Sequence, residues 1–148
     1  MIAGVRMITV ADFMTRELVT MKESDDLALA ESILRLGGIR HLPVVRDRKL
    51  VGLVTQRDLL RAGASATASR ERQALDIMTK EPTTVAPRTP LVQAARLMLR
   101  HKYGCLPVCE EDGTLVGIIT ESDFVRFAAD VVQDLDLVAE AVATRGDA

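Results

Sequence analysis

The sequence predicts an α/β (α+β) fold: two β-α-β-β-α units packed about a pseudo-twofold axis, with a helical extension at the C-terminus. Three observations lead there. First, the chain repeats itself at an offset of 64. Met14-Thr15 returns as Met78-Thr79, and Leu42-Pro43-Val44 as Leu106-Pro107-Val108. After one inserted residue, Leu50-Val51-Gly52-Leu53-Val54-Thr55 returns as Leu115-Val116-Gly117-Ile118-Ile119-Thr120, and Asp58 as Asp123. Second, apolar residues in each copy pass from extended runs to helical spacing in the same order. Third, beyond the second copy, Phe124, Phe127, Ala128, Val131, Leu135, Val138 and Val142 recur every three or four residues, the pattern of one amphipathic helix. The units span residues 10–66 and 74–130, and the extension 131–148.

In the first unit, Leu18-Val19-Thr20-Met21 reads as a short strand. Ser24 is placed to cap the next helix, with Asp25 and Asp26 favoured by the dipole in its first turn. Leu27, Ala30, Ile33 and Leu34 then follow at helical spacing, and Gly37-Gly38 ends the helix. Residues 41–45 and 50–54 form a hairpin across the polar turn Asp47-Arg48-Lys49, and a second helix begins at Thr55. Residues 62–73, rich in Ala, Gly, Ser, Thr, Arg and Glu, read as a helix end followed by a linker, although their alanines also permit a longer helix. In the second unit, Thr89 is the expected N-cap with Pro90 at the first helical position. Leu91, Ala94, Leu97 and Met98 supply the apolar face, and Asp112-Gly113 the hairpin turn.

Composition narrows the function classes. With 148 residues, 48% hydrophobic and 27% charged, the chain reads as a soluble globular protein that buries a core without staples. No apolar run approaches the ~18 residues of a membrane span, and the N-terminus lacks a secretory signal, so a cytoplasmic location is expected. Cys105 and Cys109 lie close together with no counterparts in the first unit, which is no disulfide framework. The net charge of -2 is uneven: nine Lys/Arg against eight Asp/Glu in residues 10–66, five against seven in 74–125, and two against five in 126–148. An acidic chain with no basic tract and few aromatic rings is a poor nucleic-acid binder.

Four signatures, each present twice and in order, carry a family resemblance: the Met-Thr opening, the apolar-Pro-Val strand, the Leu-Val-Gly strand, and Thr-x-x-Asp directly after it. In these the chain resembles a tandem pair of cystathionine-beta-synthase (CBS) domains, the arrangement called a Bateman module. The resemblance covers residues 10 to about 130.

Thr55-x-x-Asp58 and Thr120-x-x-Asp123 admit two compatible readings. As capping boxes, they satisfy the free amides at a helix start. As the resemblance implies, the aspartate accepts both hydroxyls of a ribose, a role suited to an acceptor-only carboxylate, while the helix N-terminus favours a phosphate. Ile39-Arg40-His41 is either a solvated strand edge or, by resemblance, a phosphate clamp whose arginine fork matches phosphate oxygens. Its counterpart Tyr103-Gly104-Cys105 is uncharged, so the two clefts are chemically unequal.

The resemblance further implies that each cleft draws on both units. The main cleft joins Thr120 and Asp123 to Val19, Thr20, Ile39, Arg40, His41 and Pro43. The second joins Thr55 and Asp58 to Thr83, Thr84, Tyr103, Gly104, Cys105 and Pro107. Spacing of four links His101, Cys105 and Cys109, but Pro107 breaks any common helix, so no metal is expected. No catalytic set is recognisable, and Gly37-Gly38 lacks the Lys-Ser/Thr that completes a phosphate-binding loop.

The expected function is therefore non-enzymatic and needs no cofactor. AMP, ADP or ATP would act as a regulatory ligand whose binding shifts the units, and a regulated protein partner would read that shift. The alternatives are a ligand-free dimerisation scaffold and a binder of S-adenosylmethionine or another adenosyl compound. A homodimer is expected, because modules of this family pair their helical faces and the stripe from Phe124 to Val142 needs a partner surface.

Overall fold

In the computed structural model, which describes residues 6–63 and 71–146, each repeat is a β-hairpin flanked by helices. The first repeat contributes α1 (Val10–Phe13), α2 (Leu27–Gly37), β1 (His41–Arg46), β2 (Lys49–Thr55) and α3 (Gln56–Ala62). The second contributes α4 (Ala74–Ile77), β3 (Thr79–Lys80), α5 (Leu91–His101), β4 (Cys105–Cys109), β5 (Leu115–Thr120) and α6 (Glu121–Gly146). β1 and β2 pair antiparallel with β3 added on the β2 edge, and β4 pairs antiparallel with β5.

The two repeats exchange their opening segments. Val10 of α1 and the following Met14 belong to the core of the second repeat, with Val85, Leu91, Ala94, Met98, Leu106, Val108 and Ile119. Ala74 of α4 and the following Met78 belong to the core of the first, with Met21, Ala30, Leu34, Leu42, Val44 and Val54. Backbone bonds hold the exchange on both sides: Val10 N–H donates to Thr89 O (2.9 Å), and Ala74 N–H to Asp25 O (2.8 Å).

That exchange explains two of the repeated motifs. A Cβ added to Gly117 would lie 2.5 Å from the Met14 sulfur, and one added to Gly52 2.4 Å from the Met78 sulfur. The glycine of each Leu-Val-Gly strand is thus the gap that admits the methionine of the other repeat's Met-Thr.

The expected strand Leu18–Met21 is reduced to a single parallel bridge from Met21 to Val44. Residues 15 and 21 explain why. Thr15 pairs with Ile118 of the second repeat, so the chain between them crosses from one sheet to the other and cannot run along either. At its end, Met21 N–H donates to Pro43 O (3.0 Å), a carbonyl on a residue that has no N–H to extend the ladder. Val85 repeats the arrangement against Pro107 O (3.1 Å).

Two caps also differ from expectation. Ser24 does not cap α2. Asp26 is its N-cap, accepting from Leu29 N–H at 2.7 Å, while Asp25 closes the preceding turn on Lys22 N–H. Thr89 is not the cap of α5 either. Pro90 occupies that position and Thr89 Oγ1 accepts from Ala86 N–H (3.1 Å), so the hydroxyl closes the turn before the helix.

Other features match the sequence reading. Gly38 ends α2 at φ 60°, and Gly113 takes φ 89° in the second hairpin. Asp47 and Arg48, both at positive φ, make the two-residue turn between β1 and β2. α3 stops at Gly63 (φ 56°), and residues 64–70 of the expected 62–73 linker lie outside the described residues. α6 runs unbroken through residue 131, so the extension continues the last helix of the second repeat.

Candidate functional site

The two Thr-x-x-Asp motifs sit where β2 passes into α3 and where β5 passes into α6. In the first, Thr55 N–H donates to Asp58 Oδ2 (2.8 Å) and Asp58 N–H to Thr55 Oγ1 (3.2 Å), a reciprocal cap. The second does more. Asp123 is buried, and both of its oxygens are engaged. Oδ2 accepts from Thr120 N–H (2.8 Å) and the Thr120 hydroxyl (3.2 Å). Oδ1 accepts from the Thr15 hydroxyl (3.1 Å), which comes from the other repeat, and from Arg126 (3.3 Å). One carboxylate therefore caps α6 and ties the two repeats together.

Thr15 and Arg126 were not among the expected site residues. The repeated Met-Thr words were the available signal for Thr15, since a threonine fixed beside a packed methionine is held at one register.

The segments Ile39-Arg40-His41 and Tyr103-Gly104-Cys105 meet at the seam between repeats. A Cβ on Gly104 would lie 2.8 Å from His41 Nε2, so glycine at 104 makes room for the imidazole. Arg40 is exposed, and its carbonyl accepts from Gln56 N–H (3.0 Å) at the head of α3. Gly104 O takes Glu121 N–H (3.2 Å) at the head of α6 in the same way. The seam is closed by Leu53, Cys105 and Ile118, with Leu18 packed on them.

Of the other residues expected in the main cleft, Val19 and Thr20 are exposed, Ile39 packs on the first repeat's core, and Pro43 is buried. In the second cleft, the Thr83 and Tyr103 hydroxyls lie 3.1 Å apart and Thr84 is exposed, while Cys105 and Pro107 are buried. Burial pushes the Cys105 thiol up to about 12 and raises Cys109, which keeps both neutral and unreactive. A separate open depression of about 530 Å³ beside the β1–β2 turn holds the Arg46–Glu23 ion pair and is bordered by none of the expected site residues.

Burial holds the His41 imidazole below its ordinary 6.5, opposed by the nearby Glu121 carboxylate, with Arg40 adding to the depression. His41 thus gains charge at a lower pH than a free imidazole. Folding favours its neutral form, so the stability it contributes is complete above about 6.5 and is lost as pH falls from there toward the folded-state value. His41→Gln should lose less thermal stability than the wild type between about pH 7 and pH 5. Equal losses in melting scans at the two pH values would remove this role.

A family model described as the CBS domain matches residues 10–65 and again 74–130. Among solved structures, a Vibrio cholerae protein assigned to acetoin utilization, AcuB, is 40% identical, with 88% of this chain and 97% of that one covered and a TM-score of 0.80. CBSX2, a CBS-pair protein of Arabidopsis thaliana, is 33% identical in its complex with AMP, over 83% of this chain and 97% of that one, with a TM-score of 0.76. The CBS domain pair of protein MJ0100, in complex with 5′-methylthioadenosine and S-adenosyl-L-methionine, is 28% identical over 84% and 98%, with a TM-score of 0.74. The chain spans about a quarter of the length of the first curated relatives it matches, 22% of one and 24% of another. Among the described residues, no helix is long and apolar enough to cross a membrane. Two family matches that together take in most of the sequence, on a fold whose repeats exchange their opening segments, make this chain a tandem CBS-domain pair and a member of the CBS-domain family.

Proposed function

We propose that this chain is a non-enzymatic regulatory module that binds AMP, ADP or ATP in the cleft of Val19, Thr20, Ile39, Arg40, His41, Pro43, Thr120 and Asp123. One observation carries the reading. Asp123 is a buried carboxylate at the head of a helix, and its Oδ1 is bound to a hydroxyl of the opposite repeat. A ribose diol can replace the Thr15 hydroxyl and Arg126 on that oxygen, exchanging donor for donor, so the carboxylate is satisfied in both states. Occupancy of the cleft would then release a bond between the repeats, which gives a ligand a means of shifting their relative orientation.

CBSX2 supports an adenosine nucleotide and MJ0100 an adenosyl compound without phosphate. Arg40 favours the former, since it is exposed near the seam at which α6 begins. Arg40→Ala should weaken AMP binding roughly tenfold, about 1.4 kcal/mol, and leave adenosine nearly unchanged. Equal affinities of variant and wild type for AMP would defeat the phosphate role.

The second cleft, with Tyr103 and Gly104 where the first has Ile39 and Arg40, suits an uncharged adenosine or nothing. A second copy of the chain completes the module by covering the outer helical faces, and a regulated protein reads the shift. A ligand-free scaffold is the rival, favoured by the reciprocal cap at Thr55 and Asp58. Thermal melting with a panel of nucleotides separates the two. At a ligand concentration of about 100 Kd, binding adds about 2.7 kcal/mol and raises the midpoint. A midpoint unmoved by AMP, ADP, ATP, adenosine and S-adenosylmethionine would leave the scaffold.

A further inference from the structure

We propose that Thr15 is an autoinhibitory clasp on the main cleft: its hydroxyl holds Asp123 in the unliganded chain, competes with the ribose for that carboxylate, and so sets the affinity for every adenosyl ligand the cleft takes. This rests on the nucleotide reading above and adds what a ligand must displace.

A count of donors carries it. A carboxylate offers about four lone-pair positions. At Asp123 four donors fill them: the N–H and hydroxyl of Thr120 on Oδ2, and the Thr15 hydroxyl and Arg126 on Oδ1. The Thr120 pair belongs to the helix cap. A ribose diol brings two further donors, so it must take Oδ1 and expel what is there. Arg126 holds weakly, because its side chain is 69% exposed and its contact is 3.3 Å long. Thr15 holds better. Its N–H donates to Ile118 O (2.8 Å) and its carbonyl accepts from Ile118 N–H (3.0 Å), so its backbone is fixed and the hydroxyl is presented ready to bond. The residue is exposed, so a turn about χ1 hands the displaced hydroxyl to water.

The first repeat supplies the contrast. Thr79, Asp58 and Arg61 are the counterparts of Thr15, Asp123 and Arg126. Thr79 pairs with Leu53 as Thr15 pairs with Ile118. Yet among the described residues neither Thr79 nor Arg61 bonds to Asp58, which keeps only its reciprocal cap with Thr55. One backbone arrangement thus yields a clasp on one side alone, the side whose cleft includes Arg40.

A clasp has a signature that a ligand contact lacks. It is present in the free chain and absent from the complex, so removing it tightens binding. Thr15→Val keeps the side-chain shape at an exposed position and should bind AMP roughly three- to tenfold more tightly, the worth of one net hydrogen bond. The ribose is common to AMP and adenosine, so both should tighten by the same factor. The free variant should melt below the wild type, and the two midpoints should converge at the same saturating AMP concentration.

Calorimetric titration of the wild type, Thr15→Val, Thr15→Ser and Thr79→Val with AMP and with adenosine, beside melting scans with and without saturating AMP, tests it. Thr15→Ser keeps the hydroxyl and should match the wild type, as should Thr79→Val. Binding by Thr15→Val that is no tighter than the wild type's, or a gain that Thr79→Val shares, overturns the clasp and leaves the nucleotide reading standing. No binding of AMP or adenosine by the wild type and Thr15→Val alike overturns the nucleotide reading and the clasp with it.

Discussion

Asp123→Ala should weaken adenosine-nucleotide binding by about 2–3 kcal/mol, roughly 30- to 150-fold, while the protein stays folded. On the proposed reading, the affinity loss would come from removing the acceptor of two ribose hydroxyls. The stability loss has two parts. Deleting the cap on Thr120 N–H costs about 1 kcal/mol. Deleting the partner of Thr15 and Arg126 removes the Oδ1 contacts at 3.1 and 3.3 Å and adds about 1 kcal/mol more. A domain of this size is stable by about 5–15 kcal/mol, so it tolerates the sum. Affinity by calorimetry, measured beside the melting midpoint, separates the roles. A variant that melts lower but binds nucleotide as tightly as the wild type would leave Asp123 as a cap and an inter-repeat tie only.

Gly117→Val should damage the fold as severely as its counterpart Gly52→Val, at about 3 kcal/mol or more. A Cβ there lies 2.5 Å from Met14 Sδ, 3.0 Å from Met14 Cγ and 3.2 Å from Thr15 O. The methionine is buried and has little room to retreat, and the backbone oxygen belongs to the Thr15–Ile118 pairing that joins the repeats. Inserting side-chain atoms into such a site forces off-rotamer packing or a backbone shift. A branched valine has no conformation that avoids both neighbours. Gly113→Val is the contrasting control. Position 113 has open space but φ 89°, so its penalty is conformational and local to an exposed turn. Denaturant unfolding should rank Gly117→Val well below Gly113→Val in stability. The reverse order would show that the exchanged methionines are not held as tightly as the packing implies.

Much of this architecture is legible in the sequence because the duplication writes it twice. The hairpins, the apolar faces of α2 and α5, and the long α6 follow from periodicity and turn residues alone. The exchange of Met14 and Met78 does not. Periodicity is local: it marks a methionine for burial but cannot say which repeat buries it. The shortened strand at Met21 is a consequence of the same exchange, since the chain from Thr15 must cross between sheets. Ser24 and Thr89 illustrate a smaller limit, because a residue fit to cap a helix also fits the turn before it, and the backbone path decides between them.

At the candidate site, the spacing of Thr120 and Asp123 marks a helix cap, the family resemblance implies their ribose role, and the uncharged Gly104 marks the asymmetry. What spacing did not reveal is that Gly104 is small because His41 needs its volume. Nor did it reveal that Thr15 and Arg126 share the Asp123 carboxylate, because those bonds depend on contacts between segments 108 residues apart, and on the first two turns of a helix whose rotamers are set by packing.

The central claim is that one cleft of this chain is built for an adenosine phosphate. Isothermal titration of the wild-type chain with AMP, beside a matched titration with adenosine, tests it most directly. The account predicts one AMP site per chain, tighter for AMP than for adenosine, with any second site weaker and indifferent to the phosphate. Two equal AMP sites, a preference for adenosine, or no binding of either compound would contradict it.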